Sequence, residues 1–283
     1  MKHLTTLICT AALLLSSCQS PYKKSLTFYA SFDESARADF ALGDPNIYTA
    51  KGSYVNQKRV LQGIEQGLHY SHYRISEGQG KYGKALDFGG KSDTVVFFKS
   101  EKNIAYDAKN WSGTISFWLS VDPPNDIEGY TDPIQITDAN FNDASIWVDF
   151  THPAPNNFRL GVIGDKKAWT QDTLTTPVRE VFNKRIANIG PQPFTRNSWT
   201  HVLITFKSLG TDQSESNLYI NGEKKGTVSG VNDPFTWELS ESNIYLALNY
   251  QGLMDELAIF NKPFTEQEVA EFHQLEGSVK SIL

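Results

Sequence analysis

Cysteine is almost missing from this chain. Only two occur among 283 residues, Cys9 and Cys18, and none follows. No disulfide can staple the long remainder, which must be held by packing and hydrogen bonds. Charge is sparse too, at 20% of residues, and leans acidic: 26 Lys and Arg stand against 32 Asp and Glu, a net −6. The densest basic pairs, Lys23-Lys24 and Lys224-Lys225, are isolated. That argues against a nucleic-acid partner, which requires a basic face. After the first residues no apolar run is long enough to cross a bilayer. Repeats and low-complexity tracts are also absent. Aromatic side chains are plentiful, at 12%, and a chain of this length can bury a large core.

The first eighteen residues read MKHLTTLICTAALLLSSC. Lys2 supplies a positive start, and Leu4 to Leu15 an apolar stretch too short for a mature transmembrane helix. Leu15-Ser16-Ser17-Cys18 resembles the bacterial lipobox, which implies lipid attachment at the Cys18 thiol and cleavage just before it. The alternative is an ordinary secretory signal in which Cys18 is incidental. Two or three acyl chains anchor stably where one does not. The expected organisation is a signal peptide at 1–17, a short linker at 18–24 and one domain at 25–283. A lipoprotein of this kind would sit on a membrane of the cell envelope, facing the periplasm or the exterior.

From Ser25 onward the pattern is period-two alternation, the mark of half-buried antiparallel strands. Ile115, Phe117 and Leu119 oppose Ser116, Trp118 and Ser120; Ile146, Val148 and Phe150 oppose Trp147, Asp149 and Thr151. Phe158, Leu160 and Val162 oppose Arg159 and Gly161, and Ile244, Leu246 and Leu248 alternate with Tyr245, Ala247 and Asn249. Asn221-Gly222 is a tight-hairpin signal. Many short strands with turns between them predict an all-β antiparallel sandwich or jelly roll. One helix is expected near the C-terminus, where Thr265-Glu266-Gln267-Glu268 forms a capping box ahead of Val269, Phe272 and Leu275. Two stretches lack periodicity: the polar insertion from Ala36 to Tyr82, and Asp165 to Ser198 with its three prolines. Connections so long tend to be functional or specially packed.

The segments FYASFDES, GKYGKALDFGGKSDTVVF, WSGTISFWLSV, NSWTHVLITFK, SNLYINGEKKGTV and NYQGLMDELAIFNKPFTEQEVAEF occur in that order. Together they resemble the laminin-G-like jelly roll of the concanavalin A-like lectin/glucanase superfamily. The resemblance implies two antiparallel sheets packed face to face, one of them concave, with a short C-terminal helix. It also implies a structural calcium at the sandwich edge, with Asp33 and Asp255 as carboxylate ligands and Gly252 and Gly90 as neighbours offering carbonyls. Six to eight hard oxygens suit calcium. The alternative is that Asp33 caps a turn and Asp255 accepts backbone hydrogen bonds. Asp255 and Glu256 are adjacent in a strand, so their side chains are expected on opposite faces, with Glu256 in solvent or paired to a Lys or Arg.

Glycosidases of this superfamily carry alternate carboxylates along one strand, and retaining chemistry needs them about 5–5.5 Å apart. No such pattern occurs here, nor a nucleophile triad, a phosphate loop or zinc spacing. The chain therefore reads as a non-catalytic binder of carbohydrate or of another envelope polymer. Trp147, Asp149, Arg159 and Trp118 are expected on one sheet face, with Trp169 and Tyr130 at its rim. Aromatic rings beside carboxylate and guanidinium groups are what a sugar site requires. Two alternatives stand: a hydrolase or polysaccharide lyase with an atypical active site, and a structural, protein-binding envelope component. His201 reads as a packed histidine rather than a catalyst.

Overall fold

The alternating segments become strands because each can bury one face only by packing against a second sheet. The computed structural model describes residues 21–90 and 92–283; the signal segment and Cys18 lie outside the described residues. Among the described residues, nine strands form one antiparallel sheet and eight another. The first sheet runs in the order Glu223–Ser229, Glu215–Ile220, Thr200–Leu209, Trp111–Ser120, Gly252–Phe260, Leu26–Ala30, Phe40–Ala41, with Ala85–Phe88 and Tyr73–Ser76 branching from Gly252–Phe260. The second runs Ile186–Asn188, Phe158–Ile163, Ser145–Phe150, Thr131–Thr137, Asn243–Leu248, Thr94–Lys99, Ile47–Val55, Lys58–Gln66. The architecture is the all-β sandwich that the alternation predicts.

Ile115, Phe117, Leu119 and Ile204 from the first sheet meet Ile134, Ile146, Val148, Phe150 and Leu160 from the second in one core. Each such side chain, fully buried, contributes roughly 1.5–3 kcal/mol. Asn221 and Gly222 take φ of 51° and 81°, making the predicted tight hairpin. The helix Glu266–His273 starts at Thr265 with both halves of the capping box formed. Its Val269 and Phe272 pack on the outer face of the first sheet, over Tyr29, Leu203, Tyr219 and Phe260. Tyr22, within the expected linker, joins this outer layer: its ring lies 5.1 Å from both Phe264 and Phe272.

The two aperiodic stretches are more ordered than their sequence suggests. The insertion supplies the hairpin Ile47–Val55 and Lys58–Gln66, which extends the second sheet at its edge. Its turn residues, Asn56 and Gln57, have φ of 49° and 67°, a tight turn without the usual glycine. The 165–198 stretch folds into short helices, including Val178–Asn183, and the edge strand Ile186–Asn188. A buried ion pair holds it down: Arg185 donates to Asp233 from Nε at 2.6 Å and from Nη2 at 2.9 Å, and to the Val181 carbonyl from Nη1.

Candidate functional site

The strand registers build one row across the outer face of the second sheet. Gly161 pairs with Trp147, Trp147 with Gln135, Gln135 with Tyr245, and Tyr245 with Phe97. The Trp147 ring lies across Gly161, where a Cβ would come within 2.2 Å of the indole; any larger residue would lift the ring. The indole N–H donates to the Phe141 carbonyl at 2.8 Å. Trp147 is only 2% exposed, so it is a floor rather than a stacking platform.

One step along the strands, Asp149 pairs with Arg159, which donates to it through both Nε and Nη2. On its other side the register slips. Val148 faces Ile134 and Phe150 faces Thr131, so Asp132 and Pro133 together oppose the single Asp149. Bulges re-aim side chains, and this one turns Asp132 onto the same face as Asp149. Desolvation first, and the Asp149 charge second, push the Asp132 carboxyl up to about 8. Burial also holds Asp149 above its ordinary value, although Arg159 pulls the other way. Gln135 donates to Asp132 at 2.6 Å and accepts from Arg59 at 3.3 Å. Arg59 in turn donates to the Tyr54 hydroxyl at 2.6 Å, its guanidinium lying between the Tyr54 and Tyr245 rings.

These side chains line a groove of about 680 Å³. The insertion hairpin forms one wall with Tyr54 and Arg59. The helix Val178–Asn183 forms the other with Arg179, Phe182 and Asn183. The groove is open to solvent: Tyr130, Tyr54 and Phe141 at its rim are 59%, 54% and 44% exposed.

Of the six side chains expected to bind ligand, four line this groove: Trp147, Asp149, Arg159 and Tyr130. Trp118 does not share their face. Its strand belongs to the first sheet, where Trp118 stacks on His201 at 4.7 Å and His273 at 5.5 Å beneath the C-terminal helix. Alternation placed it outside the core correctly, but on the other sheet. Trp169 is buried behind the wall against Phe182, its N–H donating to the Asn142 carbonyl. Arg59, Asp132, Gln135 and Arg179 were not anticipated. Pro133 inside a strand was the available signal for the bulge. His201 shares a 2.8 Å hydrogen bond with Ser116, but both are 1% exposed. Desolvation, then His273 and Lys81, push His201 down to about 3, so it packs as a neutral ring.

At the sandwich edge, Asp33 and Asp255 reach one loop. Asp255 accepts from the Lys81 and Tyr82 N–H groups at 2.7 and 3.2 Å and from the Glu256 N–H at 2.8 Å, while Asp33 accepts from Lys84 at 3.1 Å. Gly252 and Gly90 lie elsewhere: Gly252 pairs with Phe88 against the Tyr250 hydroxyl, and Gly90 sits beside His72. Glu256 is not exposed, and among the described residues it pairs with no Lys or Arg. A bulge and a φ of 55° break the alternation there, and Glu256 is buried, accepting from the Tyr29 hydroxyl and the Val279 N–H at 2.8 Å each. Desolvation, then Glu256, push Asp255 up to about 9, and desolvation pushes Glu256 up to about 7. Among the described residues no three His, Cys, Asp or Glu gather around one point. Both carboxylates thus accept backbone N–H groups, the arrangement expected without a metal; as hard oxygen donors they fit calcium in type, though loop carbonyls would have to complete its shell.

Residues 89–270 match the laminin-G family described as the concanavalin A-like lectin/glucanases superfamily. The chain belongs to this family. No curated protein matches it in sequence. Among solved structures, this concanavalin A-like chain is similar to domain 4 of AbnA, a GH43 extracellular arabinanase from Geobacillus stearothermophilus, in complex with arabinotriose. Identity is 18% and the TM-score 0.54, over 88% of this chain and 98% of that one. It is also similar to the binding domain of Paraclostridial Mosquitocidal Protein 1, at 15% identity and TM-score 0.55 over 89% of this chain and 52% of that one. The botulinum neurotoxin type G receptor-binding domain gives 12% and 0.51, over 88% and 51%. The chain thus spans about half the length of the toxin domains. At these identities the likeness is one of fold.

Proposed function

We propose that this concanavalin A-like chain is a non-catalytic carbohydrate-binding protein. In this reading it is held at the cell envelope by a lipid on Cys18, and the groove over Trp147 receives a glycan. The observation that carries the reading is the set of exposed rings, Tyr130, Tyr54 and Phe141, around the polar groups of Gln135, Asp132 and Arg59. Rings stack on sugar C–H faces, while amide, carboxyl and guanidinium groups take hydroxyls. The AbnA domain, which shares the fold and is described with arabinotriose, supports the same reading.

A second reading is favoured by one observation. Asp132 and Asp149 form a carboxyl pair in the groove, Asp132 raised to about 8 and Asp149 bound by Arg159. A protonated acid beside an ionised partner is how glycosidases divide their work. One experiment separates the two. The protein is incubated with plant and microbial oligosaccharides, and both retention and new reducing ends are measured. Retention without cleavage is the expected result. Cleavage that Asp132→Asn abolishes would establish the hydrolase instead.

The calcium between Asp33 and Asp255 belongs to the proposal as a structural ion. Added calcium should raise the melting temperature of EDTA-treated protein by several degrees, since a ligand bound only by the folded state stabilises it. Asp255→Asn should lose most of that increment. An EDTA-insensitive melt that calcium leaves unchanged would remove the ion.

A further inference from the structure

The charges in the groove do not cancel. Three guanidiniums line it, Arg59, Arg159 and Arg179, against two carboxyls, Asp132 and Asp149. This sits on a chain whose net charge is −6. Asp149 is consumed by Arg159 in a two-point pair. Asp132 is met by Gln135, which stands between it and Arg59. Burial and the neighbouring Asp149 charge both disfavour a second negative charge on Asp132.

Two cations remain. Among the described residues neither Arg59 nor Arg179 makes an ion pair. Arg59 is held in place by the two tyrosine rings and the Tyr54 hydroxyl, yet its Nε has no hydrogen-bond partner among the described residues. A guanidinium fixed in advance loses less freedom when it binds an anion. Arg179 projects from the exposed face of the helix Val178–Asn183 in the opposite wall. A neutral sugar would leave both guanidiniums without a counter-charge. An anionic one would supply it, with the planar two-oxygen geometry that a guanidinium fork matches.

We infer that the groove selects an anionic sugar residue, one bearing a carboxylate or a sulfate ester, gripped between Arg59 and Arg179. The inference rests on the groove being the glycan site. It narrows the ligand to acidic polysaccharides such as those rich in uronic acids or sulfated sugars.

Binding of size-matched oligosaccharides to the whole protein tests it: an oligogalacturonate, a sulfated galactan fragment and a neutral arabino-oligosaccharide, each at low and high salt. At low salt at least one acidic oligosaccharide should bind about tenfold or more tighter than the neutral one, the worth of one charge-assisted hydrogen bond. High salt should erase most of that difference. Which acidic arm binds tells carboxylate from sulfate. Arg179→Gln, at an exposed position, should weaken the preference without altering the melting temperature, and Arg59→Gln should weaken it further. Equal or tighter binding of the neutral oligosaccharide overturns the inference and leaves the glycan site standing. Binding of none of the three to a folded protein counts against both.

Discussion

Trp147→Ala should cost the fold about 3–5 kcal/mol, the usual range for emptying a buried tryptophan site. The indole is 2% exposed, lies flat over Gly161 and ties the Phe141 carbonyl through its N–H. It also anchors a small apolar cluster with Ile163, Trp169 and Val181, which seats the helical wall of the groove. Removing it opens a cavity, takes one of two donors from the Phe141 carbonyl, which keeps the Ser145 hydroxyl, and loosens that wall together. Urea unfolding should show the midpoint falling at unchanged slope. Tyr130→Ala, at a rim position 59% exposed, should leave the midpoint in place and weaken only glycan binding. A Trp147→Ala protein of normal stability that had lost binding would show that the indole meets the ligand after all.

Asp233→Ala should be comparably severe, about 3–5 kcal/mol, because it takes from a buried guanidinium its buried partner and leaves only the exposed Asp172 at 3.7 Å. Arg185 and Asp233 are 5% and 7% exposed, and their two-point pair fixes the end of the segment that carries Arg179 and Phe182 into the groove. Thermal melting should fall steeply, and limited proteolysis should cut first between residues 166 and 188. Replacing both partners together with Met and Leu should recover much of the loss, since no buried charge is then left alone. If the double replacement were as unstable as the single one, volume rather than charge would be the cause.

The sandwich was legible in the sequence because alternation reports which side chains face a core. The rows Ile115-Phe117-Leu119 and Ile146-Val148-Phe150 are buried as the pattern requires. Alternation does not report which sheet a strand joins, and that is why Trp118 went to the wrong face. The pairing that decides it, His201 opposite Trp118, depends on residues more than eighty positions apart. The groove was half legible for the same reason. Trp147, Asp149 and Arg159 belong to one hairpin and could be read locally, whereas Asp132 reaches them only through a bulge. Arg59 and Arg179 come from the two aperiodic segments. There the turn at Asn56-Gln57 lacks glycine and the helices are a turn or two long, so neither leaves a strong local signature. Glu256 was misread because its left-handed backbone cancels the parity of its strand.

The packing of Tyr22 bears on how the molecule would present itself. Its ring is wedged against Phe264 and Phe272 on the outer layer of the first sheet, and the groove opens on the outer face of the second. The chain therefore enters the domain from behind, with the thickness of the whole sandwich between entry point and groove. If the proposed lipid is carried on Cys18, only a few residues separate it from that wedge. The back would be turned to the membrane and the open groove outward, toward whatever polymer arrives.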